Sequence, residues 1–418
     1  MNNLIILTSS FPYEGGEQFL ETEIKYWKGT NFDNVYIMSD NNKGALRSFP
    51  GEIKLLKKHK INKKFLYVVK ALLSVYFMKE VVCLFKRGGV INFISNLKVA
   101  LKSVAVLLRE KEMLSKTMMS NDIDGNNTFY CYWNDISFYA ACILKEKGAV
   151  NQVVSRAHRF DLYEEQRKNK YMPLKRQFAN SPDRVYLLSK SALKYYKSKY
   201  SVTVNNLDVA RLGVNLPAEQ PQAKISRDTV KVISISYCVP VKQIHLIASA
   251  VLEYAKQNQD IGVEWAHIGD GPLLKSLIKE SRELTRKQTN LTINFFGHKK
   301  NTDVIEILKS GGFDIFINSS ASEGIPVSIM EAMSCKIPSI APNVGGISDL
   351  VNNENGYLMP KKCTASDIVL GINTICKNKK TIDYGNNAYN WVYERFNASI
   401  NYPDFICKLE KIAGINEP

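Results

Sequence analysis

Apolar positions in this chain cluster into short runs. Each run is closed by a small polar loop, and a stretch of helical spacing follows most of them. In the first half the runs are Leu4 to Thr8, Asn34 to Ser39, Phe129 to Trp133, Val153 to Arg156, Val185 to Ser189 and Val209 to Val214. In the second half they are Val230 to Ile235, Trp265 to Ile268, Phe295-Phe296, Phe313 to Ile317, Pro338 to Ala341 and Gly356 to Leu358. Short, near-continuous apolar runs read as buried strands, and their alternation with helices predicts an α/β fold with parallel sheets. From Phe65 to Lys116 the spacing is helical, with runs such as Phe65 to Val69 and Val81 to Phe85 interrupted by Lys70, Lys79 and Lys86. No uninterrupted apolar stretch is long enough to span a bilayer. Gly88-Gly89 divides this region from a further helix, Ile91 to about Lys116, and the pattern after Gly356 is helical.

Parallel sheets bind ligands outside the carboxyl ends of their strands. The most informative loop is therefore Asn318 to Pro326, which follows the run ending at Ile317. Pro326 fits the first position of a helix through Val327, Ile329, Met330, Ala332 and Met333. Ile325 has no side-chain oxygen with which to cap that helix, so the amides of Val327, Ser328 and Ile329 need another partner. An anion would serve, helped by the helix dipole. Ser322 or Glu323 folding back, or water, would serve as well, and these residues alone leave the choice open. A second loop, Pro342 to Gly346, opens a short helix at Ile347.

Length and charge narrow the class. A chain of 418 residues exceeds one comfortable core and predicts two domains. The formal charge is +16, concentrated between Lys54 and Lys116, where fifteen Lys or Arg face Glu80, Glu110 and Glu112. That excess points to an anionic partner. Nucleic acid is ranked last because no recognition motif accompanies the charge. The eight cysteines are scattered with no C-x-x-C pair, which fits buried apolar residues in a reducing compartment. Leu4 to Leu7 is too short for a signal-peptide core, so a cytoplasmic location is expected. Asp122-Ile123-Asp124 has the D-x-D spacing of a metal–nucleotide site but lies in a polar, turn-forming stretch; no metal and no cofactor are expected.

The frame Ser322-Glu323-Gly324-Ile325-Pro326-Val327-Ser328-Ile329-Met330-Glu331-Ala332-Met333, continuing through Pro338, Val344-Gly345-Gly346 and Gly356, resembles the E-x7-E signature of family 4 retaining glycosyltransferases. The resemblance implies the GT-B fold, two Rossmann-like domains facing a cleft, and capsular or lipopolysaccharide-type glycan biosynthesis. It gives Glu323 the donor sugar, Glu331 the ribose hydroxyls, and Gly324, Ile325, Pro326, Val327 and Ser328 the diphosphate. It covers the first domain less closely. Gly15 and Gly16 fall where relatives carry a glycine-rich loop, although a glycine pair alone reads as a tight turn. His158, a structural histidine on the residues alone, falls in an R-x-H-x-x-D segment (Arg156, His158, Asp161) where the histidine approaches the sugar. Arg156 is a weaker candidate for phosphate or acceptor. Lys242 keeps the family's diphosphate lysine, but Tyr237 stands where an arginine is expected, so bidentate phosphate binding is lost there.

The implied organisation is an acceptor-side domain 1–214, a linker 215–228, a nucleotide-sugar domain 229–389, and helices 390–418 crossing back to the first domain. The implied activity is metal-independent, hexosyltransferase-type transfer from a nucleotide-sugar donor to a hydroxyl of a glycan or polyprenyl-linked acceptor. A non-catalytic sugar-nucleotide-binding scaffold is the alternative. The basic helices between Lys54 and Lys116 are also expected to lie on an anionic membrane surface, with Lys57, Lys58, Lys63 and Lys64 among the lysines at the headgroups. The competing possibility is that their apolar residues simply fill the domain core.

Overall fold

The computed structural model describes residues 1–415 except 15, 18, 88–89, 168, 218–227 and 377–380. Most of the expected linker thus lies outside the described residues. The chain divides into two compact units, Met1–Arg211 with Asn401–Pro418, and Leu212–Ile400.

The first unit holds a seven-stranded parallel sheet in the order β3-β2-β1-β4-β5-β6-β7. Its strands are β1 (Asn2–Thr8), β2 (Asn34–Ser39), β3 (Lys54–Leu56), β4 (Asn126–Cys131), β5 (Gln152–Ala157), β6 (Arg184–Leu187) and β7 (Leu207–Val209). Leu4, Ile5 and Ile6 have no solvent exposure, as expected of a strand covered on both faces. One face packs on Val104, Leu107, Leu114 and Phe138. The other, which carries Tyr130 of β4, packs on Trp27 and, from the helix Ala398–Ile412, on Phe405, Ile406 and Leu409.

The second unit is a six-stranded parallel sheet in the order β10-β9-β8-β11-β12-β13. Its strands are β8 (Thr229–Ile235), β9 (Gly262–Ile268), β10 (Leu291–Phe295), β11 (Ile315–Ile317), β12 (Ser339–Pro342) and β13 (Gly356–Met359). Its core joins Val232, Trp265, Ile315 and Ile340 to Ile247, Val251 and Ile372 of flanking helices.

Three local expectations shift. The edge strand β3 is too short to show a periodicity, and its first residue, Lys54, is exposed. The run at Phe295-Phe296 is the end of β10, because Phe296 and Gly297 already belong to the loop. The expected strand Val209 to Val214 ends at Val209, and Val214 instead makes an isolated parallel bridge to Asn397. Asp122 lies in a turn, with φ +48°, and Asp124 in the irregular segment just after it.

Candidate functional site

In the first unit the loops after β1, β4 and β5 are tied together by carboxylates. The Glu17 carboxylate accepts the backbone amides of Ser9 (2.7 Å), Ser10 (2.7 Å) and Phe11 (2.5 Å), and the Trp133 indole N–H at 2.5 Å. These amides converge on one carboxylate, so the chain's own Glu17 occupies the loop at the end of β1. Gly16 sits in this loop beside Ser10; Gly15 lies outside the described residues.

His158 begins the helical turn after β5. Its ring lies 4.7 Å from that of Tyr132 and 4.8 Å from that of Trp133, centroid to centroid. Burial, reinforced by the Arg156 guanidinium, lowers its pKa to about 3, so the imidazole is neutral, and its Nε2 is buried without a hydrogen-bond partner. Asp161 fixes the turn by accepting the His158 amide (Oδ1, 2.6 Å) and the Asn134 amide (Oδ2, 2.6 Å). Buried Lys175 donates to the Asn134 carbonyl and side chain, both at 2.5 Å. Burial raises Asp161 to about 6 and lowers Lys175 to about 8.

Arg156, a weaker candidate for phosphate or acceptor on the sequence, is paired inside the first unit. It is fully buried, Nη1 donates to Glu23 Oε2 at 2.6 Å, and the guanidinium lies 4.0 Å from the centre of the Phe405 ring.

In the second unit, β8 has β9 on one side and β11 on the other, so the direction of winding reverses between β8 and β11. Doubly wound sheets bind ligands at that point. The loops leaving these two strands are stitched together there. The Ala321 amide donates to the Val241 carbonyl (2.8 Å), and the Ser319 hydroxyl donates to the carbonyls of Lys242 (2.9 Å) and Gln243 (3.1 Å). Lys242 Nζ then reaches Glu323 Oε1 at 2.6 Å, and Asn318 Nδ2 donates to the same oxygen at 3.3 Å.

The helix that follows is Val327–Ser334. Pro326 is its N-cap, not its first residue, because its ψ of 115° is extended, and Pro326 itself makes no side-chain cap hydrogen bond. Glu323 is therefore committed to Lys242 and does not fold back as a cap. Gly345 and Gly346 bring the loop after β12 against this segment, where the Gly346 amide donates to the Gly324 carbonyl at 2.7 Å. At Gly345 φ is +59°, and a Cβ would lie 1.9 Å from the Glu323 carbonyl oxygen, so only glycine fits. One turn into the helix, Glu331 is buried and accepts from Asn301 Nδ2 at 2.6 Å. Burial raises its pKa to about 7, partly opposed by the Asn301 hydrogen bond.

Residues 217–391 match the family model for glycosyl transferases group 1. The chain carries a group 1 glycosyl transferase domain. Over 235 residues it is 25% identical to the Escherichia coli protein WcaL, described as a putative colanic acid biosynthesis glycosyltransferase, covering 53% of this chain and 55% of that one. Over 166 residues it is 26% identical to an Escherichia coli UDP-Gal:alpha-D-GlcNAc-diphosphoundecaprenol alpha-1,3-galactosyltransferase, covering 38% of this chain and 41% of that one. The matched stretches span from 24% to 55% of the curated relatives' own lengths. The solved structure of Anabaena HepE in complex with UDP aligns with a TM-score of 0.64 at 17% identity, covering 98% of this chain and 100% of that one. The two parallel sheets, of seven and six strands, have the GT-B architecture.

The glycosyl transferase domain contains Lys242, Glu323, Glu331 and the segment Gly324 to Ser328, and the structure brings Lys242 and Glu323 into contact. His158 and Gly16 belong to the other unit. Sequence reading missed Asn318 and Asn301, the amide partners of the two glutamates. Asn318 had a signal, since it is the first residue after β11, whereas Asn301 is 30 residues from Glu331 and had none. Glu17 was legible only as the residue after a glycine pair. His267 is buried and bonded to Ser234 (Nδ1 to Oγ, 2.8 Å), consistent with a structural histidine.

Proposed function

We propose that the chain is a metal-independent retaining glycosyltransferase that moves a sugar from a nucleotide-sugar donor to a hydroxyl of a glycan or lipid-linked acceptor in polysaccharide biosynthesis. The observation that carries this reading is the contact between Lys242 and Glu323 at the switch point, beside the N-terminus of a helix whose N-cap, Pro326, makes no side-chain cap hydrogen bond. A departing diphosphate gains negative charge, and preorganised amides and an ammonium group oppose that charge best where water is scarce. The anomeric carbon gains positive character, which a carboxylate such as Glu323 stabilises, as in the oxocarbenium chemistry of glycosidases. Glu331, buried and one turn further along, suits the ribose hydroxyls. A neutral His158 with a free ring nitrogen suits one hydrogen bond to a sugar hydroxyl.

UDP, bound in the HepE structure, is the first donor nucleotide to test, and the diphosphoundecaprenol substrate in the galactosyltransferase's name motivates a polyprenyl-linked acceptor. The scaffold alternative has one observation in its favour. Tyr237, exposed at the end of β8, stands where the resemblance places a second phosphate-binding cation.

Two outcomes are expected. Among the described residues no group of three His, Cys, Asp or Glu is placed to hold a metal, and Lys242 with the helix amides supplies charge stabilisation. Turnover should therefore survive chelation by EDTA; complete loss restored by magnesium or manganese would contradict this. Second, ribose hydroxyls donate to a carboxylate, so UDP binding favours ionised Glu331. With the free group titrating near 7, affinity should be full above that pH. Below it, affinity should weaken by up to about tenfold per unit until the bound form is itself protonated. Calorimetry with UDP between pH 5.5 and 8 reads this, and Glu331→Gln should bind weakly with the dependence flattened. An unchanged profile in Glu331→Gln would assign the pH dependence to another group.

A further inference from the structure

The helices Lys64–Leu72 and Val75–Arg87 in the first unit turn apolar residues both inward and outward. Inward, Tyr67, Ala71 and Leu84 are buried. Outward, the first helix and its C-cap expose Phe65, Leu66, Val69, Leu72 and Leu73, and the second exposes Val75, Met78, Val82 and Phe85. Phe65, Leu73 and Phe85 are 80%, 81% and 79% exposed, so among the described residues of the unit nothing covers them. At about 100° per residue, each set fills roughly a third of its helix or less. These are two continuous stripes, unlike the scattered apolar residues of an ordinary surface.

Charge selects the occupant. Between Lys64 and Arg87 there are five cations and one acid, Glu80. Glu80 is buried and accepts from Tyr171, Leu174 and Gln177. Lys64, Lys79 and Lys86 are exposed, as are Lys57 and Lys63 just before the first helix. Lys58 is not among them: it is buried and paired with Asp40 and Glu110. A second copy docking through the same face would set cation against cation. An anionic bilayer matches both features, taking lysines at its headgroups and large apolar side chains below them. Among the described residues no helix is long and apolar enough to cross a membrane.

We propose that this helix pair is a monotopic membrane anchor, with Phe65, Leu73 and Phe85 inserting into an anionic leaflet while Lys63, Lys64, Lys79 and Lys86 bind its headgroups. The anchor is independent of the transferase reading, since vesicle binding is measured without turnover.

The test is co-sedimentation of the full chain with vesicles of phosphatidylglycerol and phosphatidylcholine, or of phosphatidylcholine alone. Binding is expected with the anionic vesicles only, falling steeply with salt. Phe65→Ser, Leu73→Ser and Phe85→Ser should each lower the partition coefficient by about tenfold or more. Changing Lys63, Lys64, Lys79 and Lys86 to Gln should lower it by about fivefold per lysine. Exposed Lys275 and Lys279, changed to Gln as a control, should leave it unaltered. All target side chains are exposed, so the variants should keep the wild-type circular dichroism spectrum. The proposal is overturned if the chain stays in the supernatant with anionic vesicles at low salt, or if the serine variants bind as well as wild type. It is also overturned if the chain forms a dimer that those variants dissociate.

Discussion

Glu323→Gln and Lys242→Ala should each lower kcat by about 10²- to 10³-fold, the scale of removing one preorganised electrostatic contact from a transition state. Glutamine keeps the shape of Glu323 and its contact with Asn318 but removes the charge that meets Lys242 Nζ at 2.6 Å. KM should move less than kcat, because the lost interaction strengthens only as charge develops. Folding should be nearly unaffected in Glu323→Gln, since Lys242 retains access to solvent. Near-normal kinetics in Glu323→Gln would remove the proposed site.

The second large effect is on stability. Arg156 and Glu23 form an ion pair with no solvent exposure on either side. Removing one partner leaves a buried charge uncompensated, and Arg156→Met should cost about 3–5 kcal/mol in urea unfolding. Replacing both at once, Arg156→Met with Glu23→Leu, removes both desolvation penalties and should recover most of that loss. UDP affinity of the double variant should equal that of wild type, because the pair lies in the unit without the glycosyl transferase domain. If the double variant were stable but bound UDP far more weakly, Arg156 would be a ligand after all.

The two sheets and the glutamate loop were legible because they rest on local patterns. Short apolar runs alternate with helices, and Ser322 to Met333 carries its motif within one loop and one helix. What was not legible depends on distant partners. Lys242 and Glu323 are 81 residues apart, and only the strand order makes them neighbours. Glu23 lies 133 residues from Arg156, so nothing in the sequence around this arginine near the end of β5 showed that it is half of a buried pair. Lys58 looked like one more surface lysine until Glu110 and Asp40 closed around it. The helical period of Phe65 to Phe85 showed apolar residues on several faces without saying which face the core would cover. Pro326 was displaced by one position because its ψ, unlike its φ, is not fixed by the ring.

Sugar transfer at the β8–β11 switch point is open to direct observation. In a donor screen by NMR, the full chain is incubated with each common nucleotide sugar, and sugar release or transfer is followed at the anomeric proton. At least one donor should be consumed, giving product with the donor's anomeric configuration, and Glu323→Gln should abolish most of that consumption. Donor binding with no consumption in the presence of a polyprenyl-linked glycan acceptor would contradict transfer and leave the scaffold. Consumption unchanged in Glu323→Gln would place the chemistry elsewhere.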